Sequence, residues 1–129
     1  MKAALIHAAL VGFGGFIGAL ARYGLSGLVQ RSSQLATFPY GTMAVNLLGC
    51  LVIGVIAGLV ESRKLFSPEF RVFALIGILG GFTTFSTFGY ETFAMIRSEE
   101  YLPAAANVAI HVILGLTLVW LGYVLTASR

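Results

Sequence analysis

The sequence predicts an all-α integral membrane protein with four transmembrane helices, the third of them broken. Of its 129 residues, 58% are hydrophobic and only 10% are charged, whereas about 25% are charged in an ordinary soluble domain. Four stretches contain no Asp, Glu, Lys or Arg, and each approaches or exceeds the roughly 20 residues that a helix needs to cross a bilayer. These stretches are residues 3–21, 32–60, 72–90 and 101–128.

The four stretches take up most of the chain, so we expect residues 1–129 to form a single four-helix transmembrane domain. Too few residues remain for a soluble domain or a nucleotide-binding fold. The first stretch is too long for a signal peptide and is followed by Arg22 and Tyr23 rather than by a small-residue cleavage site, which indicates a retained helix. The lone Cys50 excludes an intrachain disulfide, and we expect it to be a packing residue.

The basic residues orient the chain only weakly. Both termini and the loop between spans two and three share one side of the membrane, which carries five basic residues against two or three on the other side. Such a small bias allows insertion in either orientation. The net charge of +3 is accounted for by residues at the lipid headgroups, so we expect no nucleic-acid partner. The five are Lys2, Arg63, Lys64, Arg71 and Arg129.

The first two spans each contribute one polar residue of interest. Arg22 follows only about nineteen uncharged residues, so it either snorkels to the headgroups or attracts anions in a vestibule. Asn46 lies well inside the second stretch. Its amide either bonds across helices or offers its two N–H donors to a passing anion.

The third span is the most informative. Residues 80–87 bring together two glycines, three threonines and a serine at mid-membrane depth, and each of these residue types is a poor helix former. We therefore predict a break in the helix here. Non-helical backbone at this depth is tolerated only where it is buried in protein or lines a cavity, and it frees carbonyl groups to hold a cation.

Beyond the break, Phe85, Phe88 and Glu91 recur every three residues, which places them roughly on one helical face. The phenylalanines either pack in a core or against lipid, or turn their positive ring edges toward a small anion. In the fourth span, Asn107 and His111 also share a face. A satisfied packing role is favoured for this pair over a metal site or a polar strip beside a pore. No arrangement of residues indicates an enzyme.

Three pairs of glycines are spaced for close helix contact in apolar segments. Such pairs either pack within one bundle or join subunits. Four packed helices leave no continuous pore, so a transport path requires a second subunit, and we expect at least one pair to lie at a subunit interface. The pairs are Gly14 and Gly18, Gly54 and Gly58, and Gly77 and Gly81.

Three motifs together resemble those of the CrcB/Fluc family of bacterial fluoride channels. They are Gly-Gly-Phe-Ile-Gly-Ala-Leu-Ala-Arg-Tyr at 14–23, Gly-Thr-Met-Ala-Val-Asn at 41–46 and Gly-Gly-Phe-Thr-Thr-Phe-Ser-Thr-Phe at 80–88. The resemblance extends over nearly the whole chain, although span four carries no diagnostic motif. It implies a fluoride-selective channel for passive efflux, built as an antiparallel, dual-topology homodimer in the bacterial inner membrane.

The resemblance also implies roles for individual residues. A structural Na⁺ at the dimer centre would be held by backbone carbonyls of Gly80 and Thr83, and Arg22 would lie near the aqueous vestibule. Phe82 falls outside the two phenylalanine positions of the pore and receives no role. The implied fluoride pore is lined by Asn46, Phe85, Ser86, Thr87, Phe88 and Glu91.

Two other functions remain open. A proton-coupled cation exporter of the small multidrug-resistance type is also a four-span, dual-topology dimer, but it requires a carboxylate typically placed in the first span, and residues 3–21 contain none. Only Glu91 could serve. A structural subunit without transport would explain the glycines and aromatics, but it would leave the broken span unexplained.

Overall fold

The computed structural model describes residues 2–33, 37–63 and 66–127, and within them the predicted all-helical architecture is confirmed. Helix α1 spans Lys2–Ser32, α2 Tyr40–Arg63 and α6 Tyr101–Thr126. The third span, Pro68–Arg97, is composed of α3 (Pro68–Arg71), a π-helix (Val72–Leu79), α4 (Gly80–Phe82) and α5 (Phe85–Arg97). All four spans are long and apolar enough to cross a membrane. The basic residues Lys64 and Arg129 lie outside the described residues.

The connection between the first two helices does not lie where the uncharged stretches predict it. Helix α1 continues past Arg22 to Ser32, and α2 begins only at Tyr40. The side chain of Gln30 closes this turn, since its Nε2 donates to the carbonyl of Phe38 at 3.1 Å and its Oε1 accepts from Gly41 N at 3.1 Å. Charge alone misplaced the boundary because a single arginine does not end a helix whose sequence remains apolar on both sides of it.

Helix α1 packs along the third span, and α2 packs along α6. Glycines lie where the backbones meet, and we call these two contacts the glycine seams. A methyl group added at Gly14 would lie 2.7 Å from the carbonyl oxygen of Phe73, and one at Gly58 would lie 2.6 Å from that of Tyr123. The seam between α1 and the third span contains Gly14, Gly18, Gly77 and Gly81, and the seam between α2 and α6 contains Gly54, Gly58 and Gly122.

The glycine seams correct one expectation from the sequence. All three predicted glycine pairs face backbone of the same chain at contact distance. The prediction that one pair lies at a subunit interface is therefore wrong, and packing within one bundle is the correct interpretation. Glycine spacing marks close helix contact, but it does not say whether the neighbouring helix belongs to the same chain.

A small core lies between α2 and the third span. Val45 is fully buried, and Leu79 and Phe82 are nearly so. Phe82, to which the sequence assigned no role, is thus a core residue one position before the break. The side chains packed against this cluster are Leu25, Val52, Ile56 and Leu75.

The predicted break in the third span is confirmed at two consecutive threonines. Thr83 has φ −83° and ψ 157°, and Thr84 has φ −150° and ψ 110°, so both are extended between α4 and α5. The π-helix that precedes them was not predicted. Its apolar sequence, Val72–Leu79, carries no feature that distinguishes π from α hydrogen bonding.

Candidate functional site

The break is held by the side chain of Asn46 on α2. Its Oδ1 accepts from the backbone N–H of Thr84 at 2.8 Å, and its Nδ2 donates to the carbonyl of Thr84 at 3.1 Å. One amide thus bonds both backbone groups of an extended residue, whose N–H has no acceptor in a helix. Asn46 therefore bonds across helices, which is the first of the two roles considered for it.

A second set of bonds starts α5 directly after the break. The hydroxyl of Thr84 accepts from the backbone N–H of Thr87 at 3.3 Å and donates to Thr87 Oγ1 at 2.9 Å. Thr84 is therefore the N-cap of α5. The positive end of this helix dipole consequently lies beside the break, next to the exposed side chains of Ser86 and Thr87.

Two phenylalanines stand on the first turn of α5. Their ring centroids are 5.5 Å apart with planes inclined at 50°, as predicted for neighbours on one helical face. Phe85 is 83% exposed, whereas Phe88 is half-buried against His111, with ring centroids 4.4 Å apart. Both rings line an open cavity of about 500 Å³ that also contains Asn46, Gly80, Thr83 and Thr84. We call it the phenylalanine cavity.

Arg22 lies on the other side of the break. It lines a second cavity, of about 460 Å³, together with Tyr23, Thr42, Thr84 and Thr87. We call it the arginine cavity. Because α1 continues beyond Arg22, this half-buried side chain lies in the cavity that Thr84 of the break also lines, and not at the end of its helix.

Glu91 occupies a third cavity, of about 380 Å³. Its Oε1 accepts from Thr42 Oγ1 at 2.7 Å, and its Oε2 is buried with no hydrogen-bond partner among the described residues. The expectation that Glu91 shares a face with Phe85 and Phe88 is wrong, since it does not line the phenylalanine cavity. Steps of three residues rotate by 60° each around a helix, so two steps carry the carboxylate away from the rings.

The three cavities adjoin one another through shared residues. Thr84 lines both the phenylalanine cavity and the arginine cavity. Ser26, Gln30 and Thr42 line both the arginine cavity and the cavity of Glu91. A series of hydroxyl and amide groups therefore runs from the break to Glu91.

The polar residues of α6 are hydrogen-bonded into the bundle. Asn107 is fully buried and its Nδ2 donates to Thr92 Oγ1 at 2.9 Å, while its Oδ1 has no partner among the described residues. His111 contacts Asn46 through Nε2 at 3.2 Å and the carbonyl of Asn107 through Nδ1 at 2.9 Å. Both side chains thus pack within the bundle, but Oδ1 of Asn107 is not satisfied and His111 also lines the phenylalanine cavity, so the alternative of a polar strip beside a pore stays open. In the described part of the chain no three His, Cys, Asp or Glu side chains group as metal ligands do.

The break also changes the backbone carbonyls near Gly80. In an unbroken helix, Thr84 N–H would donate to the carbonyl of Gly80, but it donates to Asn46 instead. Gly80 is exposed, Thr83 is partly exposed, and both line the phenylalanine cavity. The structure thus places a carbonyl released from its helical partner on an open face of the subunit.

Two threonines that the sequence did not single out contribute to the site. Thr42 bonds Glu91 from α2, and Thr84 is both the cap of α5 and the residue that Asn46 pairs. Each is less than one tenth exposed. A hydroxyl buried in an apolar span is the sequence signal that would have identified them, because a polar group at this depth requires a partner.

The family model and the relatives that match this chain belong together. The family model described as "CrcB-like protein, Camphor Resistance (CrcB)" matches residues 9–123. A fluoride-specific ion channel FluC of Methylobacillus flagellatus is 48% identical over 114 residues, which cover 88% of this chain and 89% of that protein. A FluC of Nitratidesulfovibrio vulgaris is 46% identical over 88% of this chain and 90% of its own length.

An archaeal relative matches over the same share of this chain. The fluoride-specific ion channel FluC 1 of Methanosarcina acetivorans is 44% identical over 113 residues, which cover 88% of this chain and 85% of that protein. The matches take in all four spans, including the third span with its break and the residues that pack against it. The chain therefore belongs to the CrcB-like protein family.

Proposed function

We propose that this chain is the subunit of a fluoride-selective channel that carries passive fluoride efflux. The observation that carries the proposal is the break at Thr83 and Thr84, held by Asn46 beside an open pair of phenylalanine rings. Relatives 44–48% identical over most of the chain bear the name fluoride-specific ion channel, and the chain is accordingly no enzyme.

The chemistry of the proposed pore suits a small, strongly hydrated anion. Conduction requires that the water shell be replaced by groups that attract the anion but still let it leave. The edges of Phe85 and Phe88, the exposed hydroxyls of Ser86 and Thr87, and the positive end of α5 provide partial positive charge without a buried cation that would trap the ion. A larger anion such as chloride would be excluded by the same close approach.

Three further residues complete the proposed path. Arg22 in the arginine cavity would attract fluoride from solution. Asn46 would shape the pore by fixing the break, because both N–H groups of its amide are already bonded. Glu91 would end the polar series through its bond to Thr42.

A second subunit would complete the pore. Phe85 is 83% exposed and Gly80 is exposed on the same open cavity, so these residues face outward from a single bundle. An antiparallel, dual-topology homodimer in the bacterial inner membrane would cover this face in both copies and create two equivalent paths. The weak bias of the basic residues is compatible with such insertion.

The break also fits a sodium ion at the proposed dimer centre. Oxygen ligands from unwound backbone suit Na⁺, and the carbonyl of Gly80 has lost its helical donor. The carbonyls of Gly80 and Thr83 from both copies would hold the ion, which would neutralise their partial charges and fix the two breaks together. An experimental structure with density for a cation between these carbonyls would support the site, and a continuous helix there would refute it.

The decisive test is efflux from liposomes that contain the purified protein. We expect rapid fluoride efflux, measured with a fluoride electrode when a potassium ionophore dissipates the membrane potential, and chloride efflux no faster than from protein-free liposomes. Absence of fluoride movement would refute the channel. Cation movement that occurs only under a proton gradient would favour the exporter, for which Glu91 is the available carboxylate.

A further inference from the structure

His111 is connected to the break through Asn46, and the hydrogen bonds determine which of its nitrogens carries a proton. Thr84 N–H can only donate and the carbonyl of Thr84 can only accept, so Oδ1 of Asn46 must face the former and Nδ2 the latter. This orientation directs the other N–H of Nδ2 to Nε2 of His111 at 3.2 Å. Nε2 must therefore be unprotonated, because it accepts that bond.

The second ring nitrogen gives the same answer independently. Nδ1 of His111 lies 2.9 Å from the backbone carbonyl of Asn107, which can only accept. Nδ1 therefore carries the hydrogen and donates it. The imidazole is neutral, in the Nδ1–H tautomer, and both of its nitrogens are engaged on a ring that also packs against Phe88 with centroids 4.4 Å apart.

We infer that His111 is a positioning residue for the proposed fluoride path: its unprotonated Nε2 holds the Asn46 amide in the orientation that fixes the break at Thr84. The inference rests on the proposed function. Loss of the acceptor would leave one N–H of Asn46 without a partner, and the amide could then turn away from Thr84. Protonation of Nε2 would place two donors face to face and have the same effect.

The described side chains around His111 bring no charge to this bond. From α2 it contacts Asn46, from α5 it contacts Phe88, and Cys50 lines the same cavity. Cys50 is the other titratable side chain lining the phenylalanine cavity, and no charged side chain is among the described residues that line it. Glu91 lines a different cavity.

The test compares fluoride efflux of the wild type and two His111 variants at pH 8. His111→Gln keeps an acceptor for Asn46 and a donor for Asn107, whereas His111→Leu removes both. At pH 8 we expect about a tenfold slower efflux in His111→Leu and efflux near the wild-type rate in His111→Gln. Thr117→Val is the matched control on α6, since Thr117 bonds only its own helix.

Protein-free liposomes at the same pH give the leak of undissociated hydrogen fluoride, which is subtracted. Wild-type efflux in His111→Leu at pH 8, or a His111→Gln protein as slow as His111→Leu, would overturn the inference. If the wild type moves no fluoride at pH 8, the proposed function fails instead.

A measurement without transport tests the same bond. The sequence contains two histidines, His7 and His111, so the ¹⁵N spectrum of histidine-labelled wild-type protein in lipid is assigned by comparison with a His7→Gln variant. At pH 8 we expect His111 to show a protonated Nδ1 and an unprotonated Nε2. The opposite tautomer would contradict the inference even if every variant folded and conducted as expected.

Discussion

The glycine seams and the break in the third span hold helices together by opposite means. In the seams, backbones touch directly, and even one added methyl group would lie 2.7 Å from the carbonyl oxygen of Phe73 or 2.5 Å from that of Leu51. At the break, the helices are joined by directional bonds from Asn46 to Thr84 and from Thr42 to Glu91. Close backbone packing therefore holds the bundle together, and side-chain hydrogen bonds hold the site.

This division predicts two separate classes of variant. An enlarged seam residue should affect folding before it affects transport, because the neighbouring atoms are backbone and cannot move aside. A residue changed at the break should affect transport before folding, because the seams remain intact. Any variant that reverses this order would break the comparison.

The largest effect is expected for Gly18→Ala. The added methyl group would overlap the carbonyl oxygen of Ile78 and lie 2.8 Å from the backbone nitrogen of Phe82. We expect a loss of about 3 kcal/mol of stability or more, seen as aggregation in size-exclusion chromatography and a lower thermal midpoint in detergent.

The matched control for this variant is Gly12→Ala on the same helix, where nothing lies within 4 Å of the added carbon. It should be neutral or slightly stabilising, since alanine favours a helix over glycine by about 0.5–1 kcal/mol. A Gly18→Ala protein as stable as Gly12→Ala would show that the seam can open at low cost, and the contrast between seam and break would then lose its basis.

Second in size is the effect of Asn46→Leu on fluoride efflux. Leucine has a similar volume but leaves the backbone N–H of Thr84 without a partner and removes one of the donors to its carbonyl, at a cost of about 1–3 kcal/mol for the unpaired buried N–H. We expect at least about a tenfold loss of efflux while the protein remains monodisperse, because the seams do not involve Asn46. Unchanged efflux would mean that the break needs no side chain to hold it. Aggregation would mean that Asn46 is required for folding, as the seam residues are.

Much of this contrast could be predicted from the sequence. The lengths of the uncharged stretches gave the four spans, and the poor helix formers between Gly80 and Thr87 gave the broken one. The adjacency of Phe85 and Phe88 followed from their spacing. Each of these inferences uses the local period or propensity of one segment, which the sequence contains in full.

The rest depends on which segments meet in space, and no local pattern contains that. The glycine pairs were correctly located but assigned to the wrong neighbour, and Glu91 was placed on the phenylalanine face because two steps of three residues were treated as one direction. The partners of Asn46 could not be named, since Thr84 and His111 lie in other spans. The Na⁺ site and the dimer stay predictions.

A third prediction concerns the two rings of the phenylalanine cavity. Phe85→Ile and Phe88→Ile replace a positive ring edge by an aliphatic group, so we expect each to slow fluoride efflux severalfold without changing the elution volume of the assembled protein. Phe88→Ile should have the larger effect, because this ring also packs against His111. Phe93→Ile is the control, since Phe93 is 55% exposed on the same helix and does not line the cavity. Wild-type efflux in both cavity variants would exclude the rings from the path.

The smallest effect is expected for Arg22→Gln. The guanidinium lines the arginine cavity beside Thr87 but makes none of the bonds that hold the break, so its contribution is attraction at a distance. We expect efflux about threefold slower at 10 mM ionic strength, where charges act over about 30 Å, and a difference that nearly disappears at 1 M, where they act over about 3 Å. Ionic strength is set with an impermeant salt at a constant fluoride gradient. Arg31→Gln, which changes an exposed charge at the end of α1, should show neither effect. A loss of efflux that salt does not reduce would instead place Arg22 among the groups that contact the ion directly, together with the hydrogen-bonding residues of the break.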